Sequence, residues 1–310
     1  MVRTLVCYFL FSFVVLTSGG TLSATGQRVV VTIAPLHSLA SMVMQGTAKP
    51  QLLIKSNVSP HDFAMRPSHA RLLASADVII RVGDTLEGFL KRPIRALSKT
   101  VKVIEITKIP GIILLPYERD QHATHGHTHS GHSHEHHGEA AIDPHVWLDI
   151  GNASLIVKAI AFNLSRYNPE SAAIYSRNAS RAVRDLAKLR SEISEKLNPV
   201  KGKGFLVFHD GYKYFWKDFG LRELGVITLN SSGQIGARRF GRMRYLIREK
   251  GIRCVFSEPQ YPPRIVSTLV RDTAARVGIL DPLGAQITPG IEHYPALVRN
   301  LAQNLVSCLK

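Results

Sequence analysis

The chain has 310 residues, of which 45% are apolar, and its formal net charge is +16. The length favours two domains and the apolar content supports a sizeable hydrophobic core, as in a globular protein. The basic residues are scattered, with the densest cluster at 237–244, and no nucleic-acid recognition motif accompanies them. We therefore exclude a nucleic-acid partner and interpret the charge as a solvated surface that can attract anionic membrane lipids.

The first 24 residues have the composition of a secretory signal peptide. Arg3 precedes an apolar run, Leu5–Leu16, and small and polar residues follow it. This run is shorter than the roughly 20 residues that a membrane span needs. We expect cleavage near Ala24 and export of a soluble mature protein; a buried N-terminal helix is the alternative.

Eight short apolar, β-branched segments predict buried strands, and helical stretches alternate with them. This alternation predicts an α/β fold of two parallel-sheet lobes. The strand segments are 28–33, 51–54, 77–82, 101–106, 204–210, 225–230, 252–258 and 277–284.

Two segments interrupt the alternation. Residues 117–141 are rich in Gly, Ser, Thr and His, which predicts a disordered loop. Residues 169–198 carry apolar or small side chains every three or four positions, without an internal Gly or Pro, which predicts one long amphipathic helix. We therefore expect an N-terminal lobe at 25–168, a linker helix at 169–198 and a C-terminal lobe at 199–310.

Two cysteines, Cys254 and Cys308, remain in the exported chain. An even pair in an oxidising compartment predicts a disulfide, with two buried thiols as the alternative. A bridge would close a loop of about 55 residues and stabilise the fold by roughly 4 kcal/mol.

Eight of the 14 histidines lie in the loop, and six lie elsewhere. Of these six, His61, His145 and His209 have a distinctive setting, in the segments SPHDF, DPHVW and FHDGY. Asp281, like His209, ends a predicted strand, and parallel α/β sheets bind ligands beyond the carboxyl ends of their strands. Three imidazoles and an oxygen donor match the preference of tetrahedral Zn²⁺.

The nearby acids that can orient the imidazoles are Asp62, Asp143, Asp149 and Asp210. We expect ordinary structural roles for the other three histidines: His37, His69 and His293.

The segments APLHSLASMVMQG, SPHDFAMRPS, DPHVWLD, FHDGYKYF, FSEPQ and LDPLG occur in this order. Together they closely resemble the zinc-binding periplasmic component of high-affinity zinc ABC importers, within the cluster A-I metal-binding solute-binding proteins. The resemblance covers the mature chain, including the linker helix, the histidine-rich loop and the C-terminal cysteine pair.

The resemblance implies that His61, His145 and His209 bind Zn²⁺, and that the metal lies in the cleft between the lobes. Manganese-binding members generally carry glutamate where His209 stands, and a third nitrogen ligand favours Zn²⁺ over Mn²⁺. Asp281 matches an acidic metal-binding position of the manganese members and is our candidate for the fourth ligand, directly or through water. Some zinc members have an acidic residue before the first histidine; Pro60 stands there in this chain, which leaves water or Glu258 as alternatives.

The resemblance further implies a monomeric periplasmic protein that captures Zn²⁺ and delivers it to the membrane permease of an ABC importer. One alternative is a manganese- or iron-binding protein of the same fold. A zinc-dependent hydrolase is disfavoured because the chain has no H-E-x-x-H motif, and HEHH at 134–137 lacks the required spacing. We therefore expect no enzymatic activity.

The eight loop histidines lack the preorganisation that a selective site needs. We expect them to form weaker, auxiliary zinc sites; a solvated loop without such a role is the alternative. They are His122, His125, His127, His129, His132, His134, His136 and His137.

Overall fold

The computed structural model describes residues 27–117, 142–228 and 235–310. The predicted signal peptide and the loop histidines lie outside these ranges. The described residues form two four-stranded sheets whose paired strands are all parallel. Each of the eight segments predicted as strands overlaps one of the observed strands. The predicted α/β class with two parallel sheets is therefore confirmed.

The first sheet belongs to the N-terminal half and has the strand order β2-β1-β3-β4. Its central strands are wholly buried, because apart from Arg81 at the end of β3 their side chains are apolar on both faces. The elements of this half are β1 (Val29–Val31), α1 (Ala34–Val43), β2 (Gln51–Leu52), α2 (Pro67–Ala74), β3 (Val78–Arg81), α3 (Lys91–Ala96) and β4 (Lys102–Glu105).

The second sheet repeats this arrangement in the C-terminal half, with the strand order β6-β5-β7-β8. None of the helices formed by the described residues is both long and apolar enough to cross a membrane. The elements of this half are β5 (Gly204–His209), α6 (Lys213–Phe219), β6 (Arg222–Thr228), α7 (Ala237–Glu249), β7 (Cys254–Ser257), α8 (Arg264–Val270), β8 (Arg276–Ile279) and α9 (His293–Leu309).

Two helices that pack against each other connect the halves. The first is α4 (Ile150–Tyr167), whose first turn is capped by the Asp149 carboxylate, at 2.8 Å from the Asn152 amide nitrogen. A 3₁₀ turn at Pro169–Ser171 separates it from α5 (Ala172–Leu197). The predicted linker helix is thus the second arm of a helical hairpin, about 39 Å long at 1.5 Å per residue.

One continuous apolar core extends through both halves. Helices α1, α4, α5 and α9 contribute buried residues to it, together with side chains of both sheets. Hydrogen bonds join the halves within this layer: the Ser38 hydroxyl donates to the Ile291 carbonyl at 2.9 Å and accepts from the Tyr294 amide at 2.9 Å. The two sheets are therefore held in a fixed relation by shared packing.

The disulfide prediction is also confirmed. Cys254 at the start of β7 is bridged to Cys308 in the last turn of α9. The bond fastens the C-terminal helix to the second sheet, so α9 is tied covalently at one end and by packing along its length.

A buried carboxyl group lies beside the first sheet. Glu87 is fully buried and accepts hydrogen bonds from the Thr32 hydroxyl at 2.5 Å, the Val82 amide at 3.1 Å and the Gly83 amide at 2.8 Å. Burial raises the pKa of Glu87 to about 7, although these hydrogen bonds and the charge of Arg81 oppose the rise.

We expect Glu87→Gln to change how stability depends on pH. Folding raises the pKa of Glu87 from 4.5 to about 7. The resulting contribution of Glu87 to the free energy of unfolding is therefore complete below pH 4.5 and is lost as pH rises to about 7. The loss is about 3 kcal/mol at 1.4 kcal/mol per pKa unit. Urea unfolding in the presence of a metal chelator measures the free energy of unfolding at several pH values. Between pH 4.5 and about 7 this free energy should decline less for Glu87→Gln than for the wild type. Exposed Glu195→Gln serves as the control, and equal declines in wild type and Glu87→Gln would contradict the prediction.

Candidate metal centre

His61 approaches the centre from the N-terminal half. It lies in a 3₁₀ turn, Pro60–Asp62, on the connection that follows β2. Pro60 fixes its own φ angle and thereby restricts the backbone just before His61. Burial, followed by the charges of His145 and His209, holds the pKa of His61 well below its usual value. The neutral imidazole, which is the form that binds metal, is therefore favoured.

His145 is held rigidly by a carboxylate two residues before it. The same oxygen of Asp143, Oδ1, accepts from the His145 backbone amide at 3.0 Å and pairs with ring Nδ1 at 2.7 Å. Both side chains are buried. Because Nδ1 carries the shared proton in this arrangement, the lone pair of Nε2 is directed away from Asp143.

His209 is the last residue of β5 and enters from the C-terminal half. Its Nδ1 lies 2.5 Å from Oε1 of Glu258, a buried residue directly after β7. Burial by itself lowers the pKa of His209, but the negative charge and hydrogen bond of Glu258 outweigh it and raise that pKa. Glu258 thus orients His209 as Asp143 orients His145.

The three histidines converge through their Nε2 atoms. Nε2 of His145 lies 3.3 Å from Nε2 of His61 and 3.3 Å from Nε2 of His209. Ligand atoms placed tetrahedrally at the usual zinc–nitrogen distance are about 3.3 to 3.4 Å apart. The three residues are the one histidine, cysteine or carboxylate cluster of the described chain whose donor atoms could together hold a metal ion.

The space beside the imidazoles is small. Its volume is about 10 Å³, close to the minimum that one water molecule requires. Trp147 closes one side, with its ring centroid 5.2 Å from that of His145, and its indole nitrogen donates to the Pro282 carbonyl at 2.9 Å. The cavity accommodates an ion rather than an organic ligand.

Asp281 lies outside the histidine cluster. Its Oδ1 accepts from the amides of Leu283 at 3.0 Å and Gly284 at 2.9 Å and from the Gln260 side chain at 2.9 Å. Its Oδ2 accepts from the Ala285 amide at 2.5 Å. These four hydrogen bonds fix the turn after β8, and the assignment of Asp281 as a fourth ligand stays a prediction.

The other nearby aspartates differ in role. Asp149 caps α4, and Asp210 pairs with the Lys213 ammonium at 2.9 Å. Asp62 lies in the 3₁₀ turn beside His61. Of the predicted orienting acids, Asp143 is therefore the one that hydrogen-bonds an imidazole of the cluster.

The three remaining histidines of the described chain have structural partners. Ring Nε2 of His37 lies 3.0 Å from the Pro50 carbonyl, and that of His293 lies 2.8 Å from the Leu283 carbonyl. Nδ1 of His69 accepts from the Arg66 amide at 3.0 Å, at the start of α2. None of them belongs to the metal cluster.

Sequence reasoning missed two residues of the centre. A Cβ atom at Gly211 would collide with the His209 imidazole and lie 3.1 Å from Nε2 of His145, so a larger residue there would push the imidazoles apart. The glycine in FHDGY was the available signal. Glu258 was considered only as a metal ligand, because nothing in the sequence shows that β7 adjoins β5.

We expect Asp143→Asn and Glu258→Gln each to weaken metal binding by about 10- to 100-fold, because each removes the negative charge that orients and polarises an imidazole. Competition with a chromophoric zinc chelator measures the change. Glu223→Gln is the matched control, since this half-buried side chain accepts from the Trp216 indole at 2.9 Å. Unchanged affinity in both test variants would refute the orienting roles.

Known proteins similar to this chain include zinc-uptake components. It is 39% identical to the high-affinity zinc uptake system protein ZnuA of Brucella abortus, with 94% of each chain covered. It is 34% identical to the protein of the same name from Yersinia pestis, with 91% of each covered.

Solved structures share the fold. A crystal structure of ZnuA superimposes with a TM-score of 0.77 at 21% identity, over 92% of this chain and all of that one. The solute-binding protein FpvC of Pseudomonas aeruginosa, in complex with Ni²⁺, gives a TM-score of 0.74 at 22% identity, over 92% of this chain and 97% of that one. The family model described as zinc-uptake complex component A, periplasmic, matches residues 29–308. The chain therefore belongs to the ZnuA family of periplasmic zinc-uptake components.

Proposed function

We propose that this protein captures Zn²⁺ in the periplasm and delivers it to the membrane permease of an ABC importer. The observation that carries the proposal is the spacing of the three imidazole Nε2 atoms, two pairs of which lie 3.3 Å apart. This spacing is what tetrahedral zinc ligands adopt. Relatives at 39% and 34% identity bear the name of high-affinity zinc uptake proteins.

His61, His145 and His209 are the proposed zinc ligands. A water molecule takes the fourth position, with Asp281 acting through that water. Direct binding by Asp281 would disturb the four hydrogen bonds that its carboxylate accepts in the turn after β8. Three nitrogen donors favour Zn²⁺ over Mn²⁺, which prefers oxygen ligands.

We propose transport rather than catalysis. A catalytic zinc site needs an open position that also admits a substrate. The cavity of about 10 Å³ beside the imidazoles has room for a water-sized ligand only. A zinc hydrolase is disfavoured on this ground.

The shared core supports a particular way of releasing zinc. Because α1, α4, α5 and α9 belong to one apolar cluster with both sheets, a large rotation of one half against the other would expose buried surface. We propose that the monomeric protein releases zinc by small local movements of the ligand-bearing connections.

The proposal also includes export and domain organisation. The chain reaches the periplasm by a signal peptide that is cleaved near residue 24. The N-terminal lobe ends at residue 168 and the linker helix at residue 198.

His61→Ala and His209→Ala should weaken zinc binding by more than the roughly 100-fold that is typical when an orienting residue is lost. Each variant removes a nitrogen ligand and leaves at most two. Zinc competition titrations measure the affinity, and the same titrations with Mn²⁺ and Fe²⁺ test the alternative metals. His69→Ala is the control, because that ring contacts the start of α2. Wild-type zinc affinity in both ligand variants would refute the site, and tighter binding of Mn²⁺ or Fe²⁺ than of Zn²⁺ would refute the choice of metal.

Deleting residues 122–137 should leave one tight zinc site and remove only weaker, additional zinc. The eight histidines of this segment are the proposed auxiliary ligands, whereas the tight site consists of His61, His145 and His209. Metal content and isothermal titration of the intact and shortened proteins give the stoichiometry. Loss of the tight site on deletion would contradict this division of roles.

A further inference from the structure

The outer side of the C-terminal half carries a strongly basic helix that metal binding does not use. Helix α7 contains five arginines and a single acidic residue, Glu249 at its end. Met243 and Ile247 on its inner side are buried in a separate apolar cluster that also includes Phe208 and Val255 of the second sheet. This packing fixes which side of the helix faces outward.

The outward side forms a continuous row, which we call the arginine face: Arg238, Arg242, Tyr245 and Arg248. These residues are three or four positions apart, so they lie on one side of an α-helix. All four are exposed, and Tyr245 retains 59% of its accessible surface. The row extends about 15 Å along the helix axis.

Among the described residues, the arginine face forms no ion pair. The ion pairs formed within the described parts of the chain all involve other residues. From 235 to 276 the chain has ten basic and three acidic residues. One of these acids, Glu258, is buried against His209 and does not reach the surface.

Two features of the arrangement oppose helix stability, although Arg248 in the last turn suits the helix dipole. Arg238 and Arg242 form a like-charged pair four positions apart, which disfavours the helix. Arg238 also lies in the first turn, which contains no acidic residue, and cations are unfavourable at that end of the helix dipole. An external anionic surface would relieve both effects.

The orientation of the helix relates this face to the metal centre. The guanidinium of Arg239 donates to the Val226 carbonyl from two nitrogens, at 3.0 and 2.8 Å, near the end of β6. Thr228 at the end of β6 is paired with His209 at the end of β5. The arginine face therefore begins at the sheet edge that bears the metal ligands and runs away from it along the outside of the half.

We propose that the arginine face of α7 binds the anionic lipid headgroups of a bilayer and holds the protein against the membrane. Several arginines in an extended row match a surface of many phosphate groups, and Tyr245 in their midst is a side chain favoured at membrane interfaces. The fully buried core of a protein interface is generally depleted in charged residues, whereas three of the four side chains here are charged. The strongly basic net charge of the chain adds long-range attraction to the same partner.

Vesicle flotation tests the proposal with protein purified from the periplasm, so that any signal peptide has been removed. The probes are vesicles of equal parts phosphatidylglycerol and phosphatidylcholine, and vesicles of phosphatidylcholine alone. We expect binding to the first and not to the second. We also expect the binding to weaken as salt rises from about 0.01 M to about 0.15 M, since the screening length then falls from about 30 Å to about 8 Å.

A charge-reversal variant localises the contact. Arg238→Glu, Arg242→Glu and Arg248→Glu together should reduce affinity for the anionic vesicles by at least about tenfold. The matched control makes the same change in net charge at exposed positions of the N-terminal half: Arg92→Glu, Arg95→Glu and Lys99→Glu. Circular dichroism and thermal unfolding verify that both variants fold, and the salt dependence of the wild type tests the interaction without any variant.

Three outcomes would overturn the proposal. Equal loss of vesicle binding in the control variant would show that the net charge of the protein, rather than the arginine face, causes the binding. Wild-type protein that fails to bind anionic vesicles, or that binds both kinds equally, would exclude anionic lipid as the partner. Binding only to phosphatidylcholine vesicles that contain the permease, abolished by the α7 variant, would assign the face to a protein instead.

Discussion

The continuous apolar core that both halves share is the constraint on which the remaining structure depends. It brings α1 of the first half against α9 of the second, and it places the α4–α5 hairpin beneath both. Two four-stranded sheets of this size would each bury little surface alone, and common packing supplies the missing burial. The relative position of the sheets is therefore set by the same residues that stabilise the protein.

That fixed relation makes the metal centre possible. His61 and His145 come from connections before the linker helix, and His209 comes from the end of a strand after it. Three imidazoles line a cavity of about 10 Å³, and burial beside the other two lowers the pKa of His61, whereas Glu258 raises the pKa of His209. Asp143 and Glu258 hold two of the rings in place, and Gly211 leaves the space in which they meet. The centre is thus preorganised for a cation.

Much of the fold could be predicted because its signals are local. Continuous apolar segments bounded by Gly, Pro or Asp predict buried strands wherever the two sheets are eventually placed. The long helix was predicted from its spacing, yet its partner α4 was not separated from the first lobe. The break between them, at Asn168 and Pro169, lies where the linker helix was predicted to begin. The predicted and observed boundaries of most strands differ by one to three residues, because the end of a strand is decided by its pairing with neighbouring strands.

The sequence by itself determined the α/β class, the disulfide partners and the three histidines, because residue type and order carry that information. Only the tertiary structure decided which acid serves which histidine: Asp143 is two residues from its partner, but Glu258 is 49 positions from His209 and meets it because β5 and β7 are adjacent. It likewise showed that the carboxylate of Asp281 accepts hydrogen bonds from its own turn and that three of the five arginines of α7 form one outward row. Such relations depend on strand order and on the direction of each side chain, which local sequence does not encode.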